Sequence, residues 1–241
     1  MKRFATVLLF LALSCVLRAQ YLPSGDETLS YTVRHNMFPG DIGTMIFHGK
    51  DAGGTYNVDA TLKAAVGSIY TLDCRYTSAF RKDARLTPVA ATRVQTEKKY
   101  WAKGRYDWSA PGRVHLVVNK STRPPRDESI DWSGTVRDLL GTIWWLRSLD
   151  YEKAIAPDRA AGSLEGGNAL LLDHDALPVT IASCKRKSVK SGGRQIPVIE
   201  VAIAQNGKEA LRLTLSDDAR RIPLKFAITL PFGTVKGTLA Q

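Results

Sequence analysis

One stretch, Asp131 to Tyr151, constrains the fold more than any other, because it alone is long and carries apolar residues at helical spacing. Val136, Leu139, Leu140, Ile143, Trp144, Leu146 and Leu149 recur at three- and four-residue steps, the period of one helix face, while Arg137, Asp138, Thr142 and Ser148 fall mostly elsewhere. The spacing predicts one amphipathic helix. Asp131 or Ser133 can accept the free backbone N–H groups at its start, and Arg147 near its end suits the negative pole of the helix dipole. Almost everything else reads as strand and turn. The helix must then bury its stripe against a sheet, since no second helix is available to receive it.

Alternation carries the strand reading. Leu29, Tyr31 and Val33 interleave with Ser30, Thr32 and Arg34 ahead of a Phe-Pro-Gly-Asp turn at Phe38 to Asp41. Tyr56, Val58, Ala60 and Leu62 repeat the pattern, as do Leu211, Leu213 and Leu215, and then Ile222, Leu224, Phe226, Ile228 and Leu230. One face is apolar throughout, which suits antiparallel pairing with the other face in water. Gly67 to Leu72 reads as a short helical turn, Ser121 to Glu128 with its Pro124-Pro125 pair as a loop, and Pro157 to Gly167 as a connector. The expected fold is mainly β, an antiparallel sheet packed on one amphipathic helix, in a single domain over residues 20–241.

Lys2 and Arg3 precede the apolar run Phe4 to Leu13, and Ala19 precedes Gln20, the layout of a secretory signal peptide over residues 1–19. Cys15 offers a second reading, a lipoprotein anchored through that cysteine. No later segment is apolar enough for long enough to span a bilayer as a helix. The formal charge of +11 remains positive without the leader's Lys2, Arg3 and Arg18, so anionic lipid head groups, acidic glycans or nucleic acid are the partners that charge would favour. Export makes nucleic acid the least suitable of these.

Cys74 and Cys184 lie beyond the leader and read either as a disulfide or as two separated buried thiols. The aromatics Tyr100, Trp101, Tyr106 and Trp108 lie among Lys98, Lys99, Lys103, Arg105 and Arg113, a pattern that serves stacking on ligands or, more simply, a hairpin of cross-strand aromatic contacts. Asp217-Asp218 with Arg220-Arg221 is the densest charge cluster and reads as a turn. Asp173-His174-Asp175 reads as a solvated loop, because His35, His48 and His115 are scattered singly. Gly-x-Ser-x-Gly, His-Glu-x-x-His, Cys-x-x-Cys and phosphate-cradling Gly-rich loops are absent, so no catalytic residue, metal ligand or cofactor is assigned.

Three stretches carry a resemblance: Gly25-Asp-Glu-Thr-Leu-Ser-Tyr31 followed by Phe38-Pro-Gly40; Asp138-Leu-Leu140 with Arg147; and Leu215-Ser-Asp-Asp-Ala-Arg-Arg-Ile-Pro-Leu224. Together they resemble the exported bacterial proteins grouped as domain of unknown function 3108, with a departure at Gly141, where that family usually has Ser. The resemblance implies the periplasm or envelope of a Gram-negative bacterium, and a curved sheet, a half-barrel or open barrel similar to the lipoprotein carriers whose concave face accepts acyl chains. It implies no catalytic residues. The expected function is non-enzymatic binding of a lipid or other amphiphile in a cleft between sheet and helix, the adjacent positions of Trp144 and Trp145 turning at least one of them toward the edge of the buried stripe. The alternative is an envelope interaction protein engaging an anionic glycan or a protein. Asp138 and Arg147, nine positions apart, point to opposite sides of a helix and need separate partners. Arg147 is expected to tie helix to sheet through backbone carbonyls or an acidic turn such as Asp217-Asp218.

Overall fold

The computed structural model describes residues 24–68, 70–83, 85–110, 112–151, 167–172, 175–191, 193–230 and 233–240. In chain order the strands are β1 (Glu27–His35), β2 (Gly43–Asp51), β3 (Thr55–Val66), β4 (Tyr70–Arg81), β5 (Pro88–Glu97), β6 (Tyr100–Ala110), β7 (Arg113–Lys120), β8 (Arg123–Asp131) and β9 (Thr135–Arg137). The helix α1 (Leu139–Ser148) follows, then β10 (Asn168–Leu172), β11 (Asp175–Ser191), β12 (Arg194–Gln205), β13 (Lys208–Ser216), β14 (Pro223–Leu230) and β15 (Gly233–Leu239). They form one 15-stranded sheet in the order β8-β7-β6-β5-β4-β3-β2-β1-β15-β14-β13-β12-β11-β10-β9. Neighbours are antiparallel except β9 and β10, which run parallel.

The alternation seen in the sequence sets which face turns inward. Leu29, Tyr31 and Val33 of β1, Met45 and Phe47 of β2, and Tyr56, Val58 and Ala60 of β3 share one core with Ile199, Val201, Leu211, Leu213, Phe226 and the helix residues Leu140, Ile143, Trp144 and Leu146. A second cluster joins Tyr106, Val114, Leu116 and Val118 to Val136, Ala169 and Leu171. Strands β9 and β10, at one end of the strand order, therefore pack on the inner face of β6 and β7 at the other. The sheet curls until its ends meet by side-chain packing, while β8 and β9 keep their places as edges.

Four expectations change. The helix begins at Leu139, not near Asp131: Asp131 ends β8, and Asp138 is the N-cap, its extended backbone (ψ 176°) turning its carboxylate onto the Leu140 and Gly141 N–H groups. Nor does the helix show a single buried stripe, for every residue from Leu140 to Ser148 is buried. A sheet that curls round the helix leaves it no solvent face, and its two hydroxyl side chains are satisfied locally, Thr142 Oγ1 donating to the Asp138 carbonyl and Ser148 Oγ to that of Trp145, each at 2.8 Å. Ser121 to Glu128 is largely the exposed edge strand β8, not a loop; Pro124, Pro125 and alternating charge protect a free edge from pairing with other chains. Gly67 to Leu72 forms the β3–β4 hairpin in place of a helical turn. The expected leader and Cys15, the connector from Pro157 to residue 166, and Asp173 with His174 lie outside the described residues.

Curvature has a local cause. A Cβ at Gly237 of β15 would lie 2.1 Å from the ring of Phe226, its partner on β14, and one at Gly49 or Gly104 would strike the hydroxyl of Tyr56 or Tyr106. In each case an aromatic ring lies over bare backbone on a strand, which lets the sheet bend while the core stays filled. Gly237→Ala, which must displace a ring buried against Tyr31 and Phe47, is expected to cost about 1–3 kcal/mol in a urea melt.

Candidate functional site

The residues singled out in the sequence divide into two groups at the two ends of α1. At its C-terminal end Arg147 is fully buried. Its Nη1 donates to Glu27 Oε1 at 2.6 Å and its Nη2 to Glu27 Oε2 at 3.0 Å, a bidentate pair. Nε reaches the Arg221 carbonyl at 3.1 Å and Nη2 the Arg220 carbonyl at 3.2 Å, while the guanidinium lies 4.9 Å from the Trp144 ring centroid. Carbonyl contacts were anticipated for Arg147. The carboxylate partner is Glu27 of β1, and Asp217 and Asp218 have other work. Asp217 accepts from Arg221 Nη1 at 2.7 Å and Arg186 Nε at 2.9 Å. Asp218 accepts from Ser216 Oγ and from the Arg220 and Arg221 N–H groups, bending the chain between β13 and β14. Burial raises the Asp218 carboxyl, and these donors more than offset that, holding it below its ordinary value. Arg221 takes left-handed backbone there (φ 50°), in the turn that offers both carbonyls to Arg147, and its guanidinium stacks on buried Tyr151.

At the N-terminal end Asp138 caps the helix and accepts from Ser78 Oγ of β4 at 2.7 Å. Burial raises its carboxyl above the ordinary value, outweighing the Gly141 and Leu140 N–H groups and the Ser78 hydroxyl, which favour the charged form. Arg137, also buried, donates to Asn168 Oδ1 at 2.7 Å and to the Arg85 carbonyl at 2.6 Å, and lies 4.8 Å from the Trp145 ring centroid. Trp144 and Trp145 are both buried, so neither lines an open cleft edge. Cys74 on β4 and Cys184 on β11 are free thiols on opposite arms of the sheet, and no disulfide joins them. Burial pushes each up to about 11, which leaves little thiolate at neutral pH and argues against a nucleophilic role.

The sheet's inner face opens elsewhere. Along β4 the inward side chains pass from buried Phe80 and Ser78 to half-buried Tyr76, Leu72 and Tyr70, and along β5 from buried Ala91 to half-buried Arg93, Gln95 and Glu97. Arg93, paired across the strands with Tyr76, donates to Gln95 Oε1, and its guanidinium lies 6.0 Å from the Tyr76 ring centroid. Gln95 reaches Glu97 at 3.5 Å, and Glu97 accepts from Tyr70. Burial, then the Glu97 charge, raises the Tyr70 phenol to about 12. This polar ladder stands beside Leu62, whose strand β3 adjoins β4, and Leu72. The sequence reading missed it, because alternation shows a strand's period without showing which phase faces in. Beside it, at the rim of β2 to β5, lies a groove of about 490 Å³ lined by Ile42, Lys63, Leu72, Asp73, Thr96 and Lys98 among others. Among the described residues no group of His, Cys, Asp and Glu gathers as metal ligands do, and no helix is long and apolar enough to cross a membrane.

Removing the guanidinium in Arg147→Ala leaves Glu27 without its partner in the interior, so urea melts are expected to show a loss of about 3–5 kcal/mol. Asp138→Asn keeps the cap and removes the charge. Because the folded-state value of Asp138 is raised, its contribution is full below the ordinary carboxyl range and is lost as pH rises through the raised value. Stability of the parent relative to the Asn variant should therefore fall as pH climbs from about 4, measured by urea melts across that range.

The fold has a solved counterpart. The crystal structure of a beta-barrel-like protein of domain of unknown function DUF1849 from Brucella abortus superposes with a TM-score of 0.58 at 12% identity, covering 91% of this chain and 98% of that one. Among curated protein sequences none matches. The family profile described as protein of unknown function (DUF3108) matches residues 30–240, the whole sheet from within β1 to the end of β15. Glu27 and Arg147, Asp138, the carbonyls of Arg220 and Arg221, and the Tyr31 hydroxyl bound to the Pro223 carbonyl at 2.7 Å bring together the same three stretches that resembled that family in sequence, and the chain belongs to it.

Proposed function

We propose that this chain is a non-enzymatic binding protein of the bacterial cell envelope, exported by its N-terminal leader, whose inner sheet face on β4 and β5 seats an amphiphile. One observation carries the reading. Where α1 covers the sheet, inward side chains are buried; beyond it, the inner face is half-exposed and changes from apolar to charged within a few residues. Leu62 and Leu72 offer a surface for an acyl or ring system, and Arg93 offers a cation for a head group. A guanidinium half-removed from water holds an anion better than one on an open surface, because the local dielectric is lower. The cleft expected between helix and sheet is filled by Phe47, Trp144 and their neighbours, so the seat lies beside the helix.

The test is displacement of a fluorescent fatty-acid probe, with native mass spectrometry of the gently purified protein. Micromolar probe binding is expected, with Arg93→Gln weakening it about tenfold or more through loss of a charge-assisted contact. A protein that carries no lipid and does not bind the probe would end this reading.

A further inference from the structure

On β5 and β6 the outer face is where apolar side chains are out of place. Trp101 is 42% exposed and Val94 43% exposed, although both lie in paired strands, Trp101 at the start of β6 and Val94 within β5. Register explains their proximity: Val94 stands opposite Lys103 and Thr96 opposite Trp101, so the two apolar side chains are diagonal neighbours on one face. The rows continue outward. Thr44, Lys63, Asp73, Thr96 and Trp101 align across five strands, and Arg75, Val94 and Lys103 align beside them. Lys98 and Lys99 form the turn between β5 and β6.

The charges are not mutually neutralised. Arg75 lies 3.7 Å from Asp59, but Lys63, Lys98, Lys99 and Lys103 enter no ion pair among the described residues, and Lys103 instead lies 6.0 Å from the Trp101 ring centroid. Two exposed apolar side chains on a face that also carries Lys63, Lys98, Lys99 and Lys103 outside any ion pair match an anionic bilayer surface. A tryptophan ring sits well at the head-group level, and each lysine near anionic lipid adds about 1 kcal/mol, roughly fivefold in affinity. The groove at the β2 to β5 rim shares Lys63, Asp73 and Thr96 with this face, so docking would place its mouth against the lipid.

We propose that the outer face of the β5–β6 hairpin, centred on Trp101, Val94 and Lys103, docks the protein on anionic lipid membranes. The inference stands apart from whatever the inner face holds. Sedimentation with vesicles of equal parts phosphatidylglycerol and phosphatidylcholine, against pure phosphatidylcholine, tests it in low salt. The parent should sediment with the anionic vesicles only. Trp101→Ala should weaken this about threefold or more, and Lys103→Glu, which reverses one charge, about tenfold or more. Lys225→Glu on the outer face of β14 is the matched control and should change it least. Both target side chains are exposed, and unchanged thermal melts confirm that the variants fold. Equal binding to neutral vesicles, or an equal loss from Lys225→Glu, overturns the proposal. So does full binding by Trp101→Ala alongside a loss in Lys103→Glu, the pattern of a charge-only contact such as an acidic glycan would make.

Discussion

A guanidinium with no water around it must be neutralised by the protein itself, and much of this architecture follows from how Arg147 meets that demand. An unpaired buried charge costs several kcal/mol, and here a bidentate carboxylate, two carbonyls and an aromatic face share the compensation. The donors and acceptors come from β1, from α1 and from the turn between β13 and β14, elements far apart in sequence. None of these can shift without leaving another unsatisfied. A purely apolar contact would tolerate a helix rotated or slid by a few ångströms; this one fixes register. The turn carries a cost of its own, since Arg221 holds a left-handed backbone that only glycine adopts freely.

Much of the sheet was legible because period-two patterning survives wherever one face is buried. Leu29 to Val33 and Tyr56 to Leu62 sit as their alternation requires. The helix was legible in kind and misread in extent. Asp131 and Ser133 are chemically sound caps, and sequence alone does not reveal that Thr135 to Arg137 pair with β10 first. Strand β8 was hidden because an edge strand shielded by Pro124, Pro125 and charge has the composition of a loop. Arg147 could be recognised as needing a partner; Glu27 could not be chosen as that partner, since 120 residues separate them. The ladder from Arg93 to Glu97 was invisible for a different reason. Its strand alternates properly, but with the polar phase inward and Val94 outward.

That inversion links the two faces of β5 and β6. A strand that turns charge to the interior and an aliphatic side chain to the exterior works against burial, and so does the next strand, where Trp101 lies outside and Gly104 inside. Neighbouring strands such as β1 and β2 show no such reversal. On β5 this disagreement between pattern and burial lies in the arm of the sheet that α1 leaves uncovered, while the part beneath α1 is filled mainly by apolar side chains around the Arg147–Glu27 pair. On the proposed reading, stability and recognition fall to different parts of one continuous sheet.

The pairing of β1 with β15, Tyr31 opposite Leu239, also governs the order of events in making the protein. The centre of the sheet cannot close until the last of these strands has left the ribosome, and the Pro223 carbonyl and the turn at Arg220 and Arg221 arrive scarcely earlier. Contacts of such long sequence separation fold slowly, because chain entropy must be lost before they repay it. Consecutive hairpins from β2 to β8 can pair earlier, but the junction of β1 with β15 forms only when nearly the whole chain has been made. On the export proposed above, that lateness would leave the sheet's centre open while the chain is threaded across a membrane.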